Sequence, residues 1–236
     1  MKNYRILQSI RQLIIKSMTR IIVIVLLVTF GNLNLLGQVK WSFELHGGGV
    51  YNVPMPLTIH QQGYPSIKLM ARFRTEAFTP PVYWDWRITR WNNNRGWEFE
   101  AIHHKLYLNN TDDEVQKFNI SHGFNILTLN RCYKERLFTY RVGLGIVLTH
   151  SESKIRDKEF GDSSDSWDMG YFVSGPILNM AIGKPIRIFN RVHFNIEAKS
   201  TVSYTYIKIN DGHANLFNFA LHLVAGFGLD FYKKNQ

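Results

Sequence analysis

From residue 218 to residue 231 the chain alternates almost without error. Phe219, Leu221, Leu223, Ala225, Phe227, Leu229 and Phe231 stand against Asn218, Ala220, His222, Val224, Gly226, Gly228 and Asp230. A two-residue period belongs to a β-strand, whose successive side chains leave opposite faces of a sheet. One face here is continuously apolar and the other is small or polar. A membrane barrel has this signature, with the apolar face toward lipid and the other toward the lumen. A soluble sandwich or lipocalin-like barrel would need a polar outward face instead.

The N-terminus points to the same compartment. Lys2, Arg5, Arg11, Lys16 and Arg20 precede the apolar run 21–30, and a stretch of small and polar residues then leads to Gly37 and Gln38. This order of basic, apolar and small-residue regions marks a secretory signal peptide over 1–37. The apolar run is too short for a helical anchor: ten residues at about 1.5 Å each cover half of a hydrocarbon core of roughly 30 Å. Cleavage would leave one domain, 38–236, and lower the formal net charge from +10 to +5. The remaining cations are scattered, with Lys233 and Lys234 at the tail and no nucleic-acid motif beside them. Membrane lipid is the expected partner and nucleic acid is not. Cys132 is the single cysteine, which excludes an internal disulfide and a cysteine-rich zinc site.

Period-two alternation recurs over 41–52, 66–78, 82–91, 97–108, 117–130, 137–149, 169–182, 192–207 and 217–231. Single-chain bacterial outer-membrane barrels use even strand numbers with both ends in the periplasm. The expected fold is therefore all-β: an antiparallel up-and-down transmembrane barrel of eight strands, monomeric, in the outer membrane of a Gram-negative bacterium. Either 41–52 or 66–78 is then an accessory strand or part of a long hairpin. Counting back from the C-terminus puts the Ser- and Asp-rich connection 151–168 outside. Trp84, Trp86, Trp91, Trp97, Tyr140, Tyr204 and Tyr206 are candidates for the interfacial girdles.

The same parity sorts side chains by face. Tyr83, Asp85, Arg87, Thr89, Arg141, His193, Asn195, Glu197, Lys199, His222 and Asp230 are expected inside. An eight-stranded barrel is filled by its own side chains, so these charges must neutralise one another. Glu197 with Lys199, Asp85 with Arg87, and Glu98 or Glu100 with Arg141 are the expected pairs. Two strands break the pattern. A bulge near 102–104 would keep Glu98, Glu100, His103 and Lys105 on one inner face. In 117–130, the apolar set Phe118, Ile120, Phe124 and Ile126 would face lipid and would take His122 with it, unless a local bulge intervenes.

The outer half of the barrel thus gathers His103, Lys105, Asn125, His150, Glu152, Glu197 and Lys199. Histidine and carboxylate together can bind a divalent metal or move protons, and lysine or arginine can hold phosphate. No His-x-His, HExxH or phosphate-loop spacing accompanies them.

Several segments resemble, in order, the outer-membrane lipid A oxidase family. They are Pro80-Pro81-Val82-Tyr83 with Arg87, His103-His104-Lys105-Leu106-Tyr107, Ser121 to Asn130 (SHGFNILTLN), and Gly143-Leu144-Gly145-Ile146 leading to His150 and Glu152. Ser174-Gly175-Pro176 and Glu197-Ala198-Lys199 continue the resemblance over most of the mature chain. It implies an eight-stranded barrel that oxidises the proximal glucosamine of lipid A to an aminogluconate unit at an extracellular-side site. Dioxygen would be the oxidant, and a divalent metal is a candidate cofactor. His103, Lys105, Asn125, His150, Glu152 and Glu197 become candidate catalytic residues, with His103, His150 and Glu152 as candidate metal ligands and Arg87 and Lys199 as substrate contacts. His122 and His104 depart from the family pattern, which holds an acidic and a small residue there. The competing reading is a non-enzymatic barrel whose lumen charges serve stability. A deacylase built on Ser121 and His122 is disfavoured on sequence, because strand neighbours point to opposite faces.

Overall fold

The computed structural model describes residues 39–161 and 171–232. The expected signal segment 1–37, much of the 151–168 connection, and Lys233 and Lys234 lie outside the described residues. Thirteen strands form one sheet: β1 (Val39–Val53), β2 (Met55–Gln61), β3 (Ile67–Ala71), β4 (Phe73–Arg74), β5 (Trp84–Asn92), β6 (Arg95–Leu108), β7 (Val115–Glu135), β8 (Phe138–Thr149), β9 (Glu152–Ile155), β10 (Lys158–Phe160), β11 (Phe172–Arg187), β12 (Val192–Ile209) and β13 (Gly212–Tyr232). Eight of them close a ring of antiparallel neighbours, in the order β1, β5, β6, β7, β8, β11, β12, β13 and back to β1. Closure leaves the eight ring strands without a free edge, the condition for β-structure to survive in lipid.

Segment 41–52 is therefore a full span, and 66–78 shares one with 82–91. Past Pro54, β2 continues β1 along β13, with Leu57 opposite Leu216. The chain returns through β3 against β2 and β4 against the end of β6, leaves the wall over 75–83, and re-enters it as β5. This excursion covers a break in the ladder. Thr75 Oγ1 donates to the Lys105 carbonyl at 2.9 Å, and Lys105 Nζ donates to the Thr79 carbonyl at 2.8 Å.

The outward face is apolar. Leu144 is 69% exposed and Leu223 is 65% exposed, values that suit lipid contact rather than water. Trp97, Tyr140, Tyr204 and Tyr206 are exposed on it, as girdle residues should be, but Trp91 points inward and donates Nε1–H to Ser42 Oγ at 2.9 Å.

The interior has two storeys. Toward the extracellular end it is a dry core that includes Leu57, Ile59, Ile102, Leu106, Phe118, Ile120, Phe124, Ile126, Ile207 and Leu216. This corrects the expected orientation of β7: Phe118, Ile120, Phe124 and Ile126 face in, and Leu127, Leu129 and Tyr133 form its lipid face. Apolarity alone misled there, because the apolar storey gives that part of the strand two greasy faces. Below it the lumen is ionic. Arg87 donates to Glu44 at 2.6 Å and Glu197 at 2.8 Å, Arg141 to Glu197 at 2.7 Å and Glu98 at 3.1 Å, and Lys199 to Asp85 at 2.6 Å and Glu100 at 2.5 Å. Asp85 thus pairs with Lys199 and not with Arg87. Residues two apart on a strand are separated by nearly 7 Å, whereas partners across a narrow lumen can meet.

Candidate functional site

One wide bulge opens the wall where β6 and β7 meet. Their register runs regularly from Arg95↔Tyr133 to His104↔Phe124 and resumes at Leu106↔Ile120, so three residues of β7, 121–123, stand opposite one of β6, Lys105, and the two surplus residues belong to β7 alone. Gly123 makes the bulge feasible with φ +141°, a region where L side chains are strained. As a result Ser121 and His122, sequence neighbours, lie within hydrogen-bond distance of each other on the outer surface, with Ser121 Oγ 3.2 Å from His122 Nδ1.

Glu152, at the start of β9 above the ring, completes this cluster. It accepts a hydrogen bond from Ser121 Oγ. Its Oε1 lies 2.8 Å from His122 Nδ1, and its Oε2 lies 2.9 Å from Lys117 Nζ. The His150 ring is centred 5.0 Å from that of His122, and the Tyr171 hydroxyl donates to the His122 carbonyl at 2.6 Å. Burial works to raise the Glu152 carboxyl, but the hydrogen bonds from Ser121 and Lys117 outweigh it and hold the group below the ordinary carboxylate range. Burial, then the neighbouring His122, push the His150 imidazole down and favour its neutral form. An anionic acceptor, a neutral base and an ammonium group therefore share one outward surface.

A second cluster adjoins it through Gly123, whose carbonyl accepts from the His150 amide. His103 lies outward against Asn125, with Nδ1 2.8 Å from Oδ1, and stacks on Trp84 at 5.6 Å. Its Nε2 is buried without a hydrogen-bond partner. Lys105 lies beside it under the 75–83 excursion. The inserted residues thus lie on β7 and not at the expected 102–104 of β6, which keeps its phase, so His103 and Lys105 share the outward parity of Trp97 and Phe99 instead of entering the lumen. His104 points inward to Asn52, with Nε2 3.0 Å from Oδ1.

The sequence-derived set therefore divides. His103, Lys105, Asn125, His150 and Glu152 share the outward patch. Arg87, Glu197 and Lys199 are sealed in the lumen network. Ser121, His122, Lys117 and Tyr171 join the patch; His122 is marked in the sequence by its misfit in the alternation and Ser121 by its place beside it, whereas Lys117 and Tyr171 carry no signal. The trio His103, His150 and Glu152 does not close around one ion. Glu152 is bonded to His122 and Ser121, and the three-group cluster found among the described residues is Asp85, Glu100 and Glu197. There the Lys199 ammonium already touches Asp85 and Glu100 and lies 3.6 Å from Glu197. The outward residues as arranged do not fit a three-ligand metal site.

No family model matches the chain, and no curated protein does. Among solved structures it is similar to the outer-membrane protein AlkL in lipid bilayers, with TM-score 0.50, 16% identity, and 85% of this chain and 93% of that one covered. Neisserial surface protein A aligns with TM-score 0.38 and 11% identity over 82% of this chain and 97% of its own. Ail of Yersinia pestis aligns with TM-score 0.36 and 13% identity over 83% and 100%. The AlkL likeness is one of fold. With the closed eight-strand ring and its apolar belt, it makes this chain an outer-membrane β-barrel.

Proposed function

We propose that this barrel modifies a glycolipid of the outer leaflet, lipid A in the reading the sequence resemblance gives, by oxidation of its proximal glucosamine at the outward patch. The supporting observation is the convergence of residues far apart in sequence. His103, Asn125, Ser121, His122, His150 and Glu152 come together at the outer rim of the wall. Lys117, whose side chain is 38% exposed, is placed to meet headgroup phosphate. Glu152 and neutral His150 can take protons from a sugar hydroxyl. In this reading dioxygen is the oxidant and leaves as hydrogen peroxide, having taken the two electrons and two protons released when the C1–H and C1 hydroxyl O–H bonds of the sugar break. Arg87, Glu197 and Lys199 serve the barrel's stability rather than substrate. Mass spectrometry of lipid A from aerobic cells with the parent gene, without it, and with Glu152→Gln tests this. The parent should add a product that the other two lack; identical lipid A in all three overturns the proposal.

A further inference from the structure

A cavity of about 210 Å³ opens at the short-turn end of the barrel, opposite the outward patch and on the far side of the ionic lumen. Its walls bring Lys40, Lys134, Arg141, Arg187 and His193 around two carboxylates, Glu44, which already accepts from Arg87 at 2.6 Å, and Asp230. Asp230 Oδ2 pairs with Lys40 and with Arg187, the latter at 3.2 Å. Asp230 Oδ1 is buried and accepts no hydrogen bond; His193 Nδ1, at 3.7 Å, is beyond reach. Lys134 rests on the Trp91 ring, 3.8 Å from its centroid, with no carboxylate at ion-pair distance among the described residues. The surroundings reinforce the charge. The three turns at this end carry Arg95, Arg136, Arg187 and Arg191 against a single acid, Glu135.

A cationic cavity with one unsatisfied acceptor defines its ligand. It suits an oxyanion that also carries a proton to give. Phosphate meets both conditions, because monohydrogen phosphate is doubly charged and retains a P–OH. Sulfate has the same shape and charge without the proton. We infer that the periplasmic mouth is a phosphate-binding site in which Lys134 and Arg187 hold the oxyanion and Asp230 accepts its P–OH.

The test uses the full chain folded in detergent micelles, free of phosphate buffer, with calorimetric titration of inorganic phosphate, sulfate and a short-chain phosphatidate. Phosphate should bind saturably and about tenfold more tightly than sulfate, as a charge-assisted hydrogen bond won by one and lost by the other requires. Lys134→Gln should weaken phosphate by a similar factor, and Asp230→Asn should bring phosphate and sulfate close together. Phosphatidate binding above phosphate identifies a lipid headgroup as the source; the reverse identifies the free ion. Equal binding of phosphate and sulfate by the parent, or unchanged phosphate binding by Lys134→Gln, overturns the inference. Should Asp230→Asn not fold, the parent's anion preference and Lys134→Gln decide.

Discussion

Lys199→Met is the sharpest probe of the lumen. Its ammonium is buried and bonds Asp85 at 2.6 Å and Glu100 at 2.5 Å, with Glu197 at 3.6 Å. The three carboxylates offer oxygens within 4.8 Å of one another. Two like charges at such a distance repel by about 3 kcal/mol at an effective dielectric of ~20. Removing one partner of a buried ion pair costs about 3–5 kcal/mol in general. We predict a loss in that range for Lys199→Met, read as the free energy of urea unfolding in phospholipid vesicles by tryptophan fluorescence. The pairing also fixes which second change compensates. Asp85 loses its one ion-pair partner, whereas Glu100 and Glu197 keep Arg87. Asp85→Asn with Lys199→Met should therefore recover more than half of the loss. A single variant within about 1 kcal/mol of the parent, or a double variant no more stable than the single, would refute the account of Lys199 as the neutralising cation.

Further outcomes are expected. Leu144→Arg, mid-strand on the outward face of β8, should cost about 2–4 kcal/mol in the same assay; a neutral result would mean that this face does not meet lipid. Gly123→Ala should destabilise by about 1–3 kcal/mol, because an added Cβ would stand 2.5 Å from Asn125 Oδ1 at a φ of +141°, and it should shift the His103 ring signals in NMR. Acidification should loosen β9. The lowered Glu152 carboxyl contributes stability present above its unfolded value and lost as pH falls through its folded one. The lowered His150 loses its contribution as pH falls below the ordinary histidine value. Amide exchange of 152–155 should therefore accelerate progressively from neutral to acid pH after correction for intrinsic rates, and Glu152→Gln should flatten the acidic limb. Lys199→Ala should gain manganese-dependent stability as the three carboxylates take the ion in place of the ammonium; no manganese effect would show that they cannot be brought around it.

Parity made most of the barrel legible before any coordinates. On β12, His193, Asn195, Glu197, Lys199, Thr201 and Ser203 are buried as their alternation requires, and on β8 the same holds for Thr139 and Arg141. These strands have one greasy face, so the period fixes the side. β7 was misread because Phe118 to Ile126 sit in the apolar upper storey, where greasy residues line the interior as well. Partners across the lumen were less legible than faces: parity sends Asp85 inward but does not say that Lys199, more than a hundred residues on, is the cation it meets. The patch was half legible. The broken phase near His103 and the misfit of His122 marked two irregular places, yet the direction of a bulge depends on how many residues each strand inserts, and this is a property of the pair. Ser121 is set aside on sequence for the same reason, since its shared face with His122 exists only inside the bulge.

The irregularities are not spread evenly around the ring. From Val192↔Leu229 to Ile209↔Gly212, β12 and β13 pair without a shift, and β13 and β1 do so from Lys40↔Tyr232 to Val53↔Phe219. Register shifts fall on the opposite wall, at 104–106 and 121–123 between β6 and β7, at Val115–Lys117 between β7 and β9, and at Val173–Gly175 between β8 and β11. Beyond the small cavity at its periplasmic mouth, a barrel this narrow has no room inside for a glycolipid, because its interior is taken by the ionic and apolar storeys. Chemistry on a membrane lipid must then be presented outward, and a regular strand presents only every second residue there. Inserted residues break that limit and place neighbours such as Ser121 and His122 side by side on the lipid face. The smooth wall holds the fold, and the interrupted wall is where this chain can afford a site.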